Sequence, residues 1–266
     1  MSDIRLDGIV AIITGAGSRI GLGRAMTLAL VGAGARVAMV DVDAEALEQS
    51  AADARDVGGS DCVATIVADV TDPAHPDRVV QQTIRELGGL HVLINNAGIN
   101  PRFDFLELPV QLWAKTIAVN LTGPFLMAKA AAPHLREQGW GRIIGVTTSL
   151  DTMLRTMPYG PSKAGHEAFM AVLASELEGT RVNVNVLIPG GAVETGMTLG
   201  QRYERLLQPE VMQAPVVWLC SRESDAFHGR RIIARHWDEA LPIEQRLARA
   251  GAPIGWPQLG RPVEER

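Results

Sequence analysis

The sequence predicts a doubly wound α/β domain, a mostly parallel sheet of about seven strands with helices on both faces. Three observations carry that prediction. Apolar runs of strand length recur along the chain, stretches of helical periodicity separate them, and a glycine-rich turn joins the first run to the first helix. Strands that alternate with helices pair in parallel through right-handed crossovers, which cover both sheet faces.

The first strand is the apolar run Ile9 to Ile13, and the helix that follows contains Met26-Thr27-Leu28-Ala29-Leu30. A second buried strand, Ala35 to Val40, ends in Asp41. Ala44 to Val57 is helical and is stopped by Gly58-Gly59, and Cys62 to Ala68 is a strand ending at Asp69. Pro73 to Leu87 has helical periodicity, His91 to Ile94 is a short buried strand, and Leu106 to Arg136 is one long helical region. Arg142 to Val146 is a strand, Leu150 to Met157 a short loop, Pro161 to Leu177 a helix and Val182 to Ile188 a strand. Pro209 to Cys220 is the next helix and Arg231 to Ala234 the last strand. Residues 1–235 are thus read as one domain, and residues 236–266, marked by Trp237, Pro242, Pro253, Trp256, Pro257 and Pro262, as an extended tail.

Composition narrows the function. The chain has 266 residues, 47% of them hydrophobic, enough to bury one large core. A formal net charge of −5 and the absence of any Lys/Arg run argue against nucleic acid and anionic membranes as partners and favour a small molecule. The N-terminal stretch lacks the apolar segment of a secretion signal, and no apolar run is long enough to span a bilayer, so a soluble cytoplasmic protein is expected. Cys62 and Cys220 lack paired spacing and are expected as buried thiols; the six histidines show no metal-ligand spacing, and no metal is expected.

In a doubly wound sheet ligands bind beyond the C-terminal strand ends, which singles out Gly15, Asp41, Asp69, Asn95, Thr148, Ser149 and Pro189. The run Thr14-Gly15-Ala16-Gly17-Ser18-Arg19-Ile20-Gly21-Leu22-Gly23 follows a strand and opens a helix. Glycines there let a pyrophosphate approach the backbone, and the free amides and dipole of the new helix favour its charge. Asp41 lies at the distance expected for an acidic residue gripping an adenosine ribose, and it would repel a 2′-phosphate, so NAD is expected over NADP; Arg19 and Arg24 pull the other way. Tyr159 and Lys163 stand at i and i+4 on one helical face, where the ammonium favours the phenolate and lowers its pKa toward the working range. A hydroxyl from Thr148 or Ser149 would hold a substrate oxygen. Leu150, Met153, Leu154, Met157 and Met197 are expected to border an apolar pocket, with Asp151 and Arg155 available to read a polar group.

Over about residues 5 to 235 the sequence resembles the short-chain dehydrogenase/reductase family, on the glycine-rich turn Gly15 to Gly23, Asp69-Val70, Asn95-Asn96-Ala97-Gly98, Asn120, Tyr159 with Lys163, and Pro189-Gly190 followed by Thr195. The resemblance implies a Rossmann fold and hydride transfer between a nicotinamide cofactor and a secondary alcohol or ketone. It implies Tyr159 as general acid-base, Lys163 lowering its pKa and holding the nicotinamide ribose, and Asn120 supporting a water-linked proton path. Gly15, Gly17, Ser18, Arg19, Gly21 and Leu22 would cradle the phosphates; Asp41, Asp69, Val70, Asn96, Ala97 and Gly98 would lie along the adenosine side. Pro189, Gly190, Val193 and Thr195 would meet the carboxamide and pyrophosphate. Association through the helices of Leu106 to Arg136 and Pro161 to Leu177, as a homodimer or homotetramer, is likewise implied.

Two departures stand out. The family's TGxxxGxG pattern is met either if Arg19 replaces a glycine or if two residues are inserted before Gly21-Leu22-Gly23, and the insertion is expected. At the catalytic hydroxyl, counting from the strand puts Thr148 at the family's serine position, but serine is the commoner residue in the role, so Ser149 is expected with Thr148 as the alternative. A lyase or epimerase of the same fold, or a non-catalytic dinucleotide-binding regulator, would be the competing functions. The brief C-terminal part speaks against the first, and the retention of Tyr159 and Lys163 against the second.

Overall fold

The computed structural model describes residues 4–200, 203 and 205–256. Its elements in chain order are β1 (Val10–Thr14), α1 (Leu22–Gly32), β2 (Arg36–Asp41), α2 (Ala44–Gly58), β3 (Val63–Val67), α3 (His75–Leu87), β4 (Val92–Asn95), α4 (Val110–Ile117) and α5 (Gly123–Glu137). They continue as β5 (Gly141–Val146), α6 (Leu150–Arg155), α7 (Tyr159–Glu176), β6 (Val182–Ile188), α8 (Gln213–Cys220), β7 (Arg230–Ile233), α9 (Ile243–Ala250) and β8 (Gly251–Pro253).

The strands form one sheet in the order β3-β2-β1-β4-β5-β6-β7-β8. All neighbours pair in parallel except β7 with β8, where Arg231 faces Ala252 in antiparallel register. The fold class follows the sequence; the added strand comes from the tail, which turns back through α9 and covers the edge that β7 would otherwise expose. Residues 257–266, with Pro257 and Pro262, lie outside the described residues.

Side-chain alternation along the strands builds two cores. Ala11 and Ile13 of β1 face one way, with Met26 and Leu30 of α1 and Val216 and Leu219 of α8. Val10 and Ile12 face the other way, with Val79 and Val80 of α3, Met127 and Ala131 of α5, and Met170 of α7. Cys62 and Cys220 are free and buried.

Two expectations are corrected. The long helical region is broken: α4 passes into a wider π-type turn over Ala118–Thr122, in which the Gly123 amide bonds Ala118 O, before α5 begins. Pro124, four residues after Asn120, has no N–H to give the Asn120 carbonyl, so the regular ladder cannot run through this point. The second correction is α6, which occupies what the sequence suggested was loop. Ser149 starts it as the N-cap, its hydroxyl accepting the Thr152 amide.

Candidate active site

The strand order reverses between β1 and β4, and a cavity of about 510 Å³ opens at that point beyond the C-terminal strand ends. Its floor at the switch point is made by two turns tied together. Thr14 Oγ1 accepts the amides of Asn96 and Ala97, and Asn96 Nδ2 donates to the carbonyls of Thr14 and Gly15. Gly15 has a left-handed φ of 68°, and a Cβ there would lie 2.7 Å from Ala97 Cα, so only glycine allows the two turns this approach.

The turn then delivers the chain to α1 with Gly21 as N-cap. No side chain caps α1 and no acidic residue stands in its first turn, which leaves its amides free for an anion. Arg19 is not among the residues with left-handed φ, so the backbone there accepts a side chain. Across the turn, Asp41 Oδ2 accepts the Gly17 amide at 2.8 Å and Oδ1 accepts the amides of Val42 and Asp43, which fixes the carboxylate at the cavity wall. Arg24 is held by Asp53 at 2.8 Å. The donor set and the uncapped helix fit a dinucleotide pyrophosphate with a ribose at Asp41.

At the other end of the cavity stand Tyr159 and Lys163, on the first turns of α7. Lys163 is buried; its Nζ donates to Val146 O at 2.8 Å and lies 5.8 Å from the centre of the Tyr159 ring. Burial lowers Lys163 to about 8 and pushes the Tyr159 hydroxyl up, with Tyr203 adding to the latter. The phenol is thus shifted by its surroundings against the direction that the Tyr-Lys pairing alone suggests. Asn120 lies beside this pair without lining the cavity: its Oδ1 accepts the Ile99 amide, and its Nδ2 donates to Ile99 O and Ser162 Oγ, so it fastens the segment after β4 to α7. Gly98 fits between them, where a Cβ would lie 3.2 Å from Asn120 Oδ1 and 3.5 Å from Lys163 Nζ.

Of the residues singled out in the sequence, the cavity wall contains Gly15, Ser18, Gly21, Leu22, Asp41, Asn96, Ala97, Gly98, Thr148, Tyr159, Lys163, Pro189, Val193 and Thr195. Gly17, Arg19, Asp69, Val70, Asn120, Ser149 and Gly190 are not part of it. Asp69 turns its carboxylate to the amide and hydroxyl of Thr71, which hold its pKa down, and Val70 is buried under Gly123. Ser149 spends its hydroxyl on capping α6 and on Thr152 Oγ1, while Thr148 faces the cavity.

The expected apolar border is corrected as well. Among the five apolar residues proposed for it only Met197 reaches the wall; Met153 is buried in the core and Leu154 is 76% exposed. The wall near α6 is polar instead, with Asn100, Arg102, Asp151, Thr152, Arg155, Thr156 and Tyr203. Arg102 donates to the Tyr203 hydroxyl and lies over its ring. Asn100, Arg102, Thr152, Thr156 and Tyr203 belong to no motif, and only their place after β4, on α6 and after β6 brings them here. Among the described residues no three His, Cys, Asp or Glu side chains group as a metal site, and no helix is long and apolar enough to cross a membrane.

Comparison with known proteins agrees with this fold. The family model for short chain dehydrogenases matches residues 9–205. D-threitol dehydrogenase of Mycolicibacterium smegmatis is 36% identical over 190 residues, covering 70% of this chain and 71% of that protein. The chloroplastic NADPH-dependent aldehyde reductase 2 of Arabidopsis thaliana is 36% identical over 199 residues, covering 70% and 72%. The crystal structure of a 3-ketoacyl-(acyl-carrier-protein) reductase from Brucella melitensis, complexed with NADH, superposes with a TM-score of 0.75 at 27% identity over 84% of this chain and 94% of that one. The chain belongs to the short-chain dehydrogenase family, a family of nicotinamide-dependent oxidoreductases that act on small molecules.

Proposed function

We propose that the protein is an NAD-dependent dehydrogenase of a polar secondary alcohol, acting in reverse as a ketoreductase. The observation that carries the reading is the meeting of Tyr159, Lys163 and Thr148 at one end of a cavity whose other end joins Asp41 to an uncapped helix N-terminus. The cofactor, when bound, accepts or supplies the hydride. Tyr159 takes the proton from the substrate hydroxyl in oxidation and returns it to the carbonyl oxygen in reduction. As an ammonium, Lys163 would favour the phenolate by its charge and would offer hydrogen bonds to a ribose. Thr148, rather than Ser149, holds the substrate oxygen. The Asn120 carbonyl, which can receive no N–H from Pro124, would serve a water-linked proton path.

Asp41 supports NAD over NADP, since a fixed carboxylate repels a 2′-phosphate and Arg24 is engaged by Asp53. The polar wall near α6 and the similarity to a D-threitol dehydrogenase both favour a polyol or hydroxy-ketone substrate. Exposed Val110, Trp113, Phe125 and Val172 on α4, α5 and α7 support a homodimer or homotetramer joined through those helices.

The test is reduced-cofactor absorbance with a polyol panel, using wild type and Tyr159→Phe. Loss of the acid-base hydroxyl should cost about 10²- to 10⁴-fold in turnover while dinucleotide affinity stays within about twofold. A Tyr159→Phe enzyme that turns over normally would overturn the mechanism.

A further inference from the structure

The end of β5 is where the chain leaves the sheet to form the reactive end of the cavity, and three side chains hold it there. Lys163 donates to Val146 O at 2.8 Å. The Thr147 hydroxyl donates to Glu167 Oε2 at 2.7 Å. Arg231, reaching across β6 from β7, donates Nη2 to the Thr148 carbonyl at 3.1 Å and sets Nη1 3.2 Å from Glu167 Oε1. Glu167 is fully buried, Thr147 is 2% exposed and Arg231 is 6% exposed.

A buried ion pair is poor evidence of added stability, because desolvation of the two charges offsets most of their attraction. What this pair has is a geometric result. Lys163 and Glu167 lie on α7 one and two turns after Tyr159 and in step with it, so one helix carries the phenol and also grips the backbone that presents Thr148. Arg231 closes the grip from the far side, on the residue whose side chain faces the substrate. A shift of Thr147–Thr148 relative to α7 would change the separation of the Thr148 and Tyr159 hydroxyls, and misplacement by about 1 Å is enough to cost on the order of 10²-fold in rate.

We propose that Glu167 and Arg231 form a buried positioning unit that sets the Thr148 hydroxyl against Tyr159, acting through Thr147 and the Thr148 carbonyl. The proposal rests on the reading of Thr148 as the substrate-orienting hydroxyl. It is tested with Thr147→Val, which keeps the side-chain shape but removes the hydroxyl given to Glu167, and with Thr147→Ser, which restores it. Two readouts are taken: steady-state kinetics on the polyol panel with dinucleotide affinity, and amide exchange of residues 146–149, which needs no substrate. In Thr147→Val, kcat should fall about tenfold or more, KM should change less, dinucleotide affinity should hold, and the segment's exchange should quicken at least about tenfold. Thr147→Ser should return both to wild type. Unchanged kcat and exchange in Thr147→Val would overturn the proposal, as would parallel losses of turnover and dinucleotide affinity, which would mean general collapse of the site. If wild type oxidises nothing in the panel, the functional reading fails, and the exchange data still decide whether the grip exists.

Discussion

Thr148→Val and Ser149→Ala should separate activity from stability in opposite directions. Thr148 lines the cavity and its side chain makes no hydrogen bond among the described residues, whereas Ser149 caps α6 through the Thr152 amide. On the proposed role, removing the Thr148 hydroxyl would leave a substrate oxygen without its partner, a loss of about 1 to 3 kcal/mol, or about 5- to 150-fold in kcat/KM. The unfolding free energy should move by no more than about 0.5 kcal/mol, the range of substitutions away from structural features. Removing the cap at Ser149 should cost about 0.5 to 2 kcal/mol of stability. Its effect on kcat/KM should be small, and limited to what loosening of α6 does to the polar wall. Paired assays of both variants, kcat/KM by reduced-cofactor absorbance and unfolding by urea with circular dichroism, read the four quantities. A Ser149→Ala enzyme that keeps its stability and loses turnover would refute the assignment and restore serine to the catalytic role.

Three further outcomes follow from the geometry. In Gly23→Ala the new Cβ would stand 2.4 Å from Gly15 O and 2.8 Å from Asn96 Nδ2, so the helix gain of about 1 kcal/mol should be outweighed by about 1 to 3 kcal/mol of crowding, with dinucleotide affinity falling as the two tied turns part; unaltered binding by calorimetry would refute it. Asp41→Ala should weaken NAD binding about tenfold or more and narrow the NAD-to-NADP affinity ratio, and an unchanged ratio in titrations with both would remove Asp41 from cofactor choice. Lys163, lowered to about 8 from 10.5, releases its proton in the folded protein while the unfolded chain still holds it, so its contribution to stability should rise with pH between those values. The stability of wild type relative to Lys163→Met should therefore grow from pH 7 to pH 10 in urea unfolding, and a flat or falling difference would contradict the burial of that ammonium.

The sequence by itself determined the architecture and most of the cofactor end of the site. Short β-branched stretches such as Ile9 to Ile13 and Val182 to Ile188 read as buried strands, and their alternation with helices makes a parallel sheet the way to bury them. Gly15, Asp41 and the Asn96-Ala97-Gly98 turn were legible because each stands at a strand end, where the demands are local: a left-handed φ, a close approach, a carboxylate after a strand. Tyr159 and Lys163 were legible because helical spacing alone puts them on one face. What the tertiary structure decided depended on partners far along the chain. Thr148 and Ser149 are adjacent hydroxyls, and only the start of α6, which engages one of them as a cap, separates their roles. Asn120 reads in the sequence as one position in a long helix, but Pro124 and the bonds to Ile99 and Ser162 break that helix around it. Asp69-Val70 is one of the motifs of the resemblance, and the fold places Val70 in the core under Gly123 and turns the Asp69 carboxylate to Thr71. Glu167 and Arg231 are ordinary charged residues in sequence, and they become a buried pair beyond the C-terminal end of β5 because β7 lies beside β6, a neighbour relation that local propensity does not encode.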